Sequence, residues 1–454
     1  MEKKFERSLF IFHRDLRLED NTGLNQALAL SKQVVPVFIF DDVQIGDDNK
    51  YRSNNAIQFM IESLEDLAKQ CKQYQGKLYF FHGDTQDIVA KLIKNYGIDA
   101  VISNVDYTPF AQYRDKQLAT LVRKHGATWL SYHDALLTYP GQVVKNDGKP
   151  YTVFTPFFKR ASTYDVPEVQ RLAHGIFYRG ALTGARESFL RDFMPEENTF
   201  LFERGGTDAG KAALRKSQHL GTYHKTRDVP SLKTTGLSAH NKFGTVSIRQ
   251  VHQALMEVSP DLVRQLYWRD FFTHLAYHFP YVFKGSFHKK YDALEWKNNK
   301  AWFEKWCAGT TGFPIVDAGM RQLNTTGYMH NRVRMIVASF LTKDLLVSWR
   351  WGERYFAQQL VDYDPCVNNG SWQWVASTGA DAQPYFRIFN PWLQQKKFDP
   401  DARYIKAWVP ELANVSVASI HAWYKQKEPV KNYPLPMIDH AHQAAIALRL
   451  FKAL

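Results

Sequence analysis

The sequence predicts two folded parts of different class, an α/β domain followed by an all-α domain. The first third of the chain alternates short apolar runs with amphipathic segments, whereas the second half shows only helical periodicity. A stretch punctuated by proline and glycine separates the two parts. From this order we expect the α/β domain over 1–133, a long connector over 134–200 and the all-α domain over 201–454.

The α/β domain is predicted from five apolar runs that have the composition of buried strands. They are residues 8–12 (SLFIF), 34–40 (VVPVFIF), 77–81 (KLYFF), 99–103 (DAVIS) and 128–132 (TWLSY). Between them, segments such as 56–73 and 85–96 place apolar residues at helical spacing. Strands that alternate with helices form a doubly wound parallel five-stranded sheet. The chain after the first run reads HRDLRLEDN and has no glycine-rich phosphate loop, so a dinucleotide bound in the usual way on this sheet is not expected.

The rest of the chain lacks the strand pattern. Prolines and glycines interrupt 139–221, which indicates a connector with local helices. Helical periodicity then recurs in six segments, which predicts the all-α domain. These are 246–258, 262–278, 300–307, 316–324, 332–346 and 353–359.

The composition points to an anionic partner. The 454 residues contain 58 Lys and Arg against 45 Asp and Glu, a formal charge of +13, which favours nucleic acid or an anionic membrane surface. No apolar run approaches the ~20 residues that cross a bilayer, and the first apolar run is too short for a signal peptide, so a cytoplasmic protein is expected. Cys71, Cys307 and Cys366 form neither a disulfide framework nor a metal-ligand spacing, so we expect buried free thiols and no metal site.

Two polar motifs lie in the helical half. TTGLSAH (234–240) combines hydroxyls with a glycine, which suits either the binding of phosphate oxygens or a plain turn with a helix N-cap. In YMHNRVRM (328–335), Asn331, Arg334 and Met335 share one helix face, since residues three and four apart stack. Downstream, Asp362 and Asp364 flank a tyrosine, and an ion pair between Arg334 and these carboxylates would be either part of a site or purely structural.

Aromatic residues make up 15% of the chain and include 12 tryptophans. The segment 367–392 holds Trp372 and Trp374 beside two asparagines, and LYWRDFF (266–272) adds Trp268 and Arg269. Aromatic faces with arginines nearby grip single-stranded or extruded bases, although core packing is the ordinary role of any one tryptophan.

Taken together, these strings resemble the photolyase and cryptochrome flavoproteins, in particular the microbial, class I type cyclobutane pyrimidine dimer photolyases. The strings that carry the resemblance, in chain order, are FHRDLRLEDN, TTGLSAHNKFG, LYWRDFF, GFPIVDAGMRQLNTTGYMHNRVRM, DYDPCVNNGSWQW and ASTGADAQPYFRIFNP. The resemblance implies that the all-α domain binds FAD in a U-shaped conformation. It further implies that reduced FAD, excited by blue light, donates an electron to a flipped-out dimer, whose ring opens before the electron returns.

The resemblance also assigns roles by position. The residues implied to hold the pyrophosphate and ribityl region are Tyr223, Thr234, Thr235, Gly236, Leu237 and Ser238. Asp362 and Asp364 would contact the cofactor with Arg334 paired to them, and Asn368 would face flavin N5. Light-driven reduction of the flavin would use a relay of Trp372, Trp349 and Trp296, from the flavin to the surface.

The implied partner is UV-damaged DNA, bound by a monomer. Trp268 and Trp374 would stack on the dimer, and Asn331 and Met335 would line its pocket. The further residues implied to contact DNA are Arg227, Gln265, Arg269, Arg332, Arg387 and Gln394. Of these and the flavin contacts, Asn368, Gln265 and Met335 are expected to take part in catalysis.

Two departures from the family pattern leave alternatives open. Gln265 stands where dimer photolyases usually have a glutamate, so repair of six-four photoproducts is an alternative, although their enzymes have a histidine where this chain has Asn331. Residues 106–113 lack the acidic folate contact of some relatives, so a second, antenna chromophore would be a deazaflavin, a folate, or absent.

A cryptochrome-type light sensor is the other alternative, disfavoured by the short chain after the helical domain.

Overall fold

A five-stranded parallel sheet forms the first part of the chain, which confirms the predicted α/β domain. In the computed structural model, which describes residues 3–430 and 432–454, the sheet order is β3-β2-β1-β4-β5. The strands are β1 (Phe5–Ile11), β2 (Ser31–Phe40), β3 (Tyr79–His82), β4 (Ala100–Asn104) and β5 (Thr128–Tyr132). Leu9 of β1 pairs with Val35 of β2 and with Val101 of β4, so the chain reverses its direction of winding at β1. The carboxyl ends of β1 and β4 therefore border the crevice where such sheets bind ligands.

Helices cover both faces of the sheet, which explains why its central strands are apolar throughout. They are α1 (Thr22–Leu30), α2 (Asp42–Ile45), α3 (Asn54–Gln73), α4 (Thr85–Tyr96) and α5 (Pro109–Lys124). The side chains of Asn21, Ser53, Asp84 and Thr108 accept hydrogen bonds from the first turns of α1, α3, α4 and α5. Each of these helices thus begins at a polar N-cap.

The connector carries two helices, α6 (Phe154–Ala161) and α7 (Phe189–Asp192). Its first part packs into the helical domain, where Phe154 and Phe157 join the core around the helix Pro260–His278. Its later part lies on the α/β domain, where Phe177 joins the core of the sheet and Tyr178 N donates to Val34 O (2.8 Å). The connector therefore belongs to both cores, and the boundaries at 134 and 200 stay a prediction.

The second part of the chain is helical, as predicted. Its helices are α8 (Thr207–Ser217), α9 (Tyr223–Thr226), α10 (Ser238–Phe243), α11 (Ile248–Met256), α12 (Pro260–His278), α13 (Lys300–Ala308), α14 (Pro314–Thr326), α15 (Asn331–Ser339), α16 (Trp349–Gln359), α17 (Pro365–Ala376), α18 (Pro391–Phe398), α19 (Arg403–Trp408), α20 (Val417–His421) and α21 (His440–Lys452). The predicted helix 332–346 is only partly regular, because α15 passes into a π-helical turn at Phe340–Asp344. This wider turn places the buried Lys343 against Ser377 Oγ (3.0 Å) at the end of α17.

Buried ion pairs join the two domains. Arg249 of α11 donates to Asp20 Oδ2 (2.9 Å) and Asp134 Oδ1 (2.8 Å), and Arg17 donates to Asp134 Oδ2 (2.6 Å). Burial opposes ionisation of Asp134, but the two guanidinium groups hold its pKa well below the ordinary value. Removing either arginine would leave a buried carboxylate without one of its cationic partners. The network therefore fixes the domains against each other.

None of the helices in the described residues has the length and apolar character needed to cross a membrane.

Candidate active site

Arg334 of α15 forms a two-pronged ion pair with Asp362. Its Nη1 and Nη2 donate to Asp362 Oδ1 (3.2 Å) and Oδ2 (2.8 Å), and its Nε donates to Met329 O (2.7 Å). Burial works against the charge, but the carboxylate keeps the pKa of Arg334 above its ordinary value. The guanidinium plane is thus fixed in position and in charge.

Tyr328 connects this ion pair to the segment 234–238. The Arg334 guanidinium lies 5.2 Å from the centroid of the Tyr328 ring, which stacks on Phe202 at 3.8 Å. The Tyr328 hydroxyl lies 3.2 Å from Thr234 Oγ1. The predicted phosphate-binding segment and the predicted Arg334 pair therefore meet in the structure.

The segment 234–238 is a turn that leads into α10. Gly236 has a φ of +67°, and a side chain there would place its Cβ 2.4 Å from Glu203 Oε1, so the position favours glycine. Leu237 is buried, while Thr234 and Thr235 are half-buried and Ser238 is exposed at the start of α10. No side chain caps the first turn of α10, and Tyr223 lies half-buried at the start of α9.

Asp364 differs from the prediction, because it does not pair with Arg334. One oxygen caps α17 and accepts from Cys366 N (2.9 Å) and Val367 N (3.1 Å). The other pairs with Arg14, which follows β1 and also lies 3.5 Å from Asp106 Oδ1. Burial opposes ionisation of Asp364, but Arg14, Lys242 and Arg269 hold its pKa well below the ordinary value. Asp362 and Asp364 lie on either side of Tyr363 in sequence, and their side chains point to different partners, Arg334 and Arg14.

Asn368 is held with its amide in one orientation. Its Nδ2 donates to Glu353 O (3.0 Å) of α16, and its Oδ1 has no hydrogen-bond partner among the described residues. The neighbouring Asn369 donates to Glu353 Oε1 (2.8 Å). Oδ1 is therefore the end of the amide that remains available to a ligand donor.

Glu353 contacts both asparagines, Asn368 through its backbone oxygen and Asn369 through its carboxylate. Burial raises its pKa to about 7. A folded-state pKa above the unfolded value means that Glu353 contributes stability below about pH 4.5 that is lost as the pH rises through about 7. E353Q cannot ionise. We therefore expect its unfolding free energy, relative to that of the natural chain, to rise by about 3 kcal/mol as the pH increases from about 4.5 to about 7.

Urea denaturation of both proteins at acid and alkaline pH measures this difference. The control is E411Q. Arg321 lowers the pKa of Glu411 despite partial burial, so the loss of the Glu411 charge should destabilise the protein at high pH. A gap between E353Q and the natural chain that does not change with pH would contradict the assignment.

The three tryptophans of the predicted relay lie in and on one core. Trp372 of α17 and Trp349 of α16 are each 2% exposed, and Trp296 packs half-buried against the same core. The Trp372 ring meets Phe356 edge-on at 4.9 Å and lies so close to Gly352 that a Cβ there would be 2.1 Å from it. The burial order agrees with a relay that ends at the surface, and the relay stays a prediction.

The predicted lesion-binding side chains are more accessible. Trp268 and Trp374 are half-buried, and Gln265 is exposed, with Nε2 donating to Asp261 O (3.1 Å) in its own helix. Asn331 and Met335 lie on one face of α15, with Nδ2 3.9 Å from Sδ. These groups could therefore face a ligand from α12, α15 and α17.

The basic residues predicted to bind DNA fall into two groups. Arg227 and Arg387 are exposed. Arg332 is engaged, since it donates to Asp228 Oδ1 (2.8 Å) and lies 4.4 Å from the Phe398 ring centroid. Gln394 is half-buried, and its Oε1 lacks a partner among the described residues.

Arg269 is corrected by the structure. Its Nη2 donates to Asn241 O (3.1 Å) and its Nη1 to Ala135 O of the connector, and burial lowers its pKa. One residue along a helix turns the side chain by about 100°, so Arg269 points away from the side on which Trp268 lies. We therefore assign Arg269 to the packing of the connector against the helical domain rather than to DNA binding.

Sequence reasoning missed Arg14, Glu353, Tyr328 and Phe154. Arg14 had a signal, since HRDLRLED places five charged side chains and a histidine directly after a buried strand. The partners of the missed residues can lie far away in sequence, as Arg14 and Asp364 do at a separation of 350 residues. No local pattern can therefore predict these contacts.

The residues present fit FAD. The hydroxyls of 234–238 and the uncapped backbone N–H groups in the first turn of α10 suit an anionic diphosphate, with Leu237 N already donating to Thr235 Oγ1 (3.3 Å). The free Oδ1 of Asn368 suits an N–H donor of the flavin ring. The described residues contain no cluster of His, Cys, Asp and Glu that could hold a metal ion.

Comparisons with known proteins agree with this site. A family model described as the FAD binding domain of DNA photolyase matches residues 262–453, and the DNA photolyase model matches residues 8–172. The deoxyribodipyrimidine photo-lyase of Vibrio cholerae is 37% identical, over 97% of this chain and 98% of the relative.

Two solved structures share the fold over nearly all of the chain. The archaeal photolyase of Sulfolobus tokodaii, described with two FAD molecules, has a TM-score of 0.91 and 42% identity over 99% of this chain and 100% of its own. A cryptochrome of Synechocystis has a TM-score of 0.88 and 26% identity over 99% and 100%. The matches confirm FAD as the cofactor. With both family models matched and a relative 37% identical over almost its whole length, the chain belongs to the DNA photolyase family.

Proposed function

We propose that this protein splits cyclobutane pyrimidine dimers in UV-damaged DNA in a light-dependent reaction. The observation that carries the proposal is the distribution of side chains on α17. Asn368 and Trp372 are four residues apart and share one face, whereas Trp374 lies on the opposite side and is more accessible. One helix thus presents an amide for the flavin, a buried electron donor and an accessible aromatic ring.

Reduced FAD, when bound, would supply the chemistry, namely the donation of one electron to the dimer in blue light and its recovery after the ring has opened. Asn368 contributes an acceptor at a fixed atom, because its Nδ2 is taken by Glu353 O. As a neutral amide it holds a ring N–H without the repulsion that a carboxylate would exert on a reduced, electron-rich ring. Asn368 has no titratable group, so the acceptor itself stays neutral as the pH changes.

The protein also has to hold the lesion. Trp268 and Trp374 offer indole faces for the two pyrimidines, with Asn331, Met335 and Gln265 around them. A damaged pair costs less to extrude than an intact one, which favours the lesion over normal DNA. Arg227, Arg332, Arg387 and Gln394 are proposed to contact the phosphate backbone, and the formal charge of +13 supports an affinity that falls with salt.

Three finer points belong to the same proposal. The enzyme acts as a monomer, which the mass in solution would check against the 52.7 kDa of one chain. A second, antenna chromophore, a deazaflavin or a folate where one is bound, would occupy the α/β domain, and the Sulfolobus relative is described with two FAD molecules. The class I assignment rests on the sequence strings alone.

Lesion choice tests the proposal against its two alternatives. The reduced protein is illuminated with oligonucleotides that carry either one cyclobutane dimer or one six-four photoproduct, and with dark controls. We expect loss of the dimer only. Conversion of the six-four product would support the reading of Gln265 as a six-four residue, and no conversion of either lesion by protein with bound reduced FAD would support a cryptochrome-type sensor.

A further inference from the structure

Connector helix α6 reaches the lesion side of the helical domain. Phe154, its first residue, is 1% exposed and stacks flat on the indole of Trp268, with ring centroids 3.6 Å apart and planes at 8°. The Arg264 guanidinium lies 5.2 Å from the Phe154 centroid and 5.2 Å from the Phe158 centroid. One face of Trp268 is therefore occupied by protein, and only the opposite face can accept a base.

The same residue also anchors the loop that bears Arg387. Phe154 N donates to Asp381 Oδ2 (3.0 Å), which supplies the hydrogen bond that no side chain of the connector gives to the start of α6. Further along the loop, Gln383 N donates to Trp374 O (3.1 Å). The first turn of α6 thus contacts both sides of the predicted lesion pocket, Trp268 through a ring and the 381–387 loop through its backbone.

We propose that Phe154 is a positioning residue for lesion binding, which holds Trp268 in the orientation that stacks on the dimer. The inference rests on the proposed function of Trp268. A free indole would lose rotational freedom on binding, whereas a stacked one has lost it already, so the stack favours binding without touching the DNA. The rings lie nearly parallel with centroids 3.6 Å apart, and this close contact leaves the indole little room to rotate, which makes a single orientation the preferred one.

The test is a double-mutant cycle on the FAD-loaded protein in the dark. Binding to an oligothymidine with one dimer, and to the same strand undamaged, is measured for the natural chain, F154L, W268A and the double variant. We expect F154L to weaken dimer binding about tenfold and to leave undamaged binding within about twofold. In the W268A background, F154L should have almost no further effect, because the substitution keeps the backbone N–H that binds Asp381 and removes only the ring that contacts the indole.

The matched control is F157L. Phe157 lies on the same helix, is equally buried and contacts Phe271 at 5.3 Å and His274 at 4.9 Å. F157L should bind the dimer as the natural chain does. Equal losses in F154L and F157L would overturn the proposal, since they would reflect the stability of α6 alone, and so would an undiminished effect of F154L in the W268A background.

A second variant keeps the proposal testable if F154L does not fold. R264M removes the cation from the outer side of Phe154 without opening the core, and its effect on dimer binding should also vanish in W268A. An R264M effect that survives in W268A would overturn the coupling. If the natural chain itself showed no preference for the dimer, the proposed function would fail, which is a different result from a natural preference that F154L leaves intact.

Discussion

Replacing Trp372 by phenylalanine is expected to slow the light-driven reduction of oxidised FAD by about 10²-fold, which corresponds to a barrier about 3 kcal/mol higher. An indole can give up an electron at the potentials involved, whereas a phenyl ring cannot. Trp372 is 2% exposed and meets α16 at Gly352, so no solvent molecule replaces the lost donor. Repair by protein that has been reduced chemically beforehand should stay within about twofold, because the relay is not needed once the flavin is reduced.

Absorbance changes of the flavin under blue light measure the first effect, and dimer loss by pre-reduced protein measures the second. W423F is the packing control, since Trp423 is also fully buried in the same core but belongs to no predicted relay. It should show normal photoreduction. Equal losses of photoreduction and repair in W372F would mean that the ring supports the site and does not carry electrons.

The second large effect is expected from R334M. The Asp362 side chain is 5% exposed, so the loss of its partner leaves a buried carboxylate uncompensated at a cost of about 3 kcal/mol. The change also removes the cation over Tyr328, whose hydroxyl meets Thr234. We therefore expect the ratio of FAD to protein after purification to fall at least about tenfold.

Two further variants separate stability from cofactor binding. Adding D362N to R334M removes the stranded charge and should recover most of the unfolding free energy but little of the FAD. R321M breaks an ion pair outside the site, in which Arg321 Nη1 donates to both carboxylate oxygens of Glu411 (3.0 and 2.7 Å). The arginines of the two pairs are similarly exposed, whereas Glu411 is more exposed than Asp362, and R321M should retain its FAD. A full FAD content in R334M would remove Arg334 from the cofactor site.

The strands were predictable because a parallel sheet buried on both faces needs continuous apolar runs, and 34–40 and 99–103 are such runs. The end of α15 was not predictable from the sequence. The π-helical turn at Phe340–Asp344 makes contacts with α17 and α21, which no local pattern contains. The helical period placed Asn331 beside Met335 correctly.

The site shows the same limit. Asp362 and Asp364 are alike in sequence, and only the fold shows that one pairs with Arg334 and the other with Arg14 from the sheet domain. Arg269 looked like a surface arginine beside an aromatic residue, yet backbone carbonyls of the connector and α10 take its donors. Phe154 carried no sequence signal, because its role depends on the connector folding back onto α12.

If light splits the dimer and the electron then returns to FAD, one cofactor can serve many dimers. The number of dimers lost per bound FAD is measured when pre-reduced protein and excess UV-irradiated oligothymidine are illuminated without oxygen or added reductant. We expect many dimers per FAD in blue light and none in the dark, with the flavin still reduced at the end. A yield that stops at one or two dimers per FAD, with the flavin oxidised by the same number of electrons, would contradict this expectation.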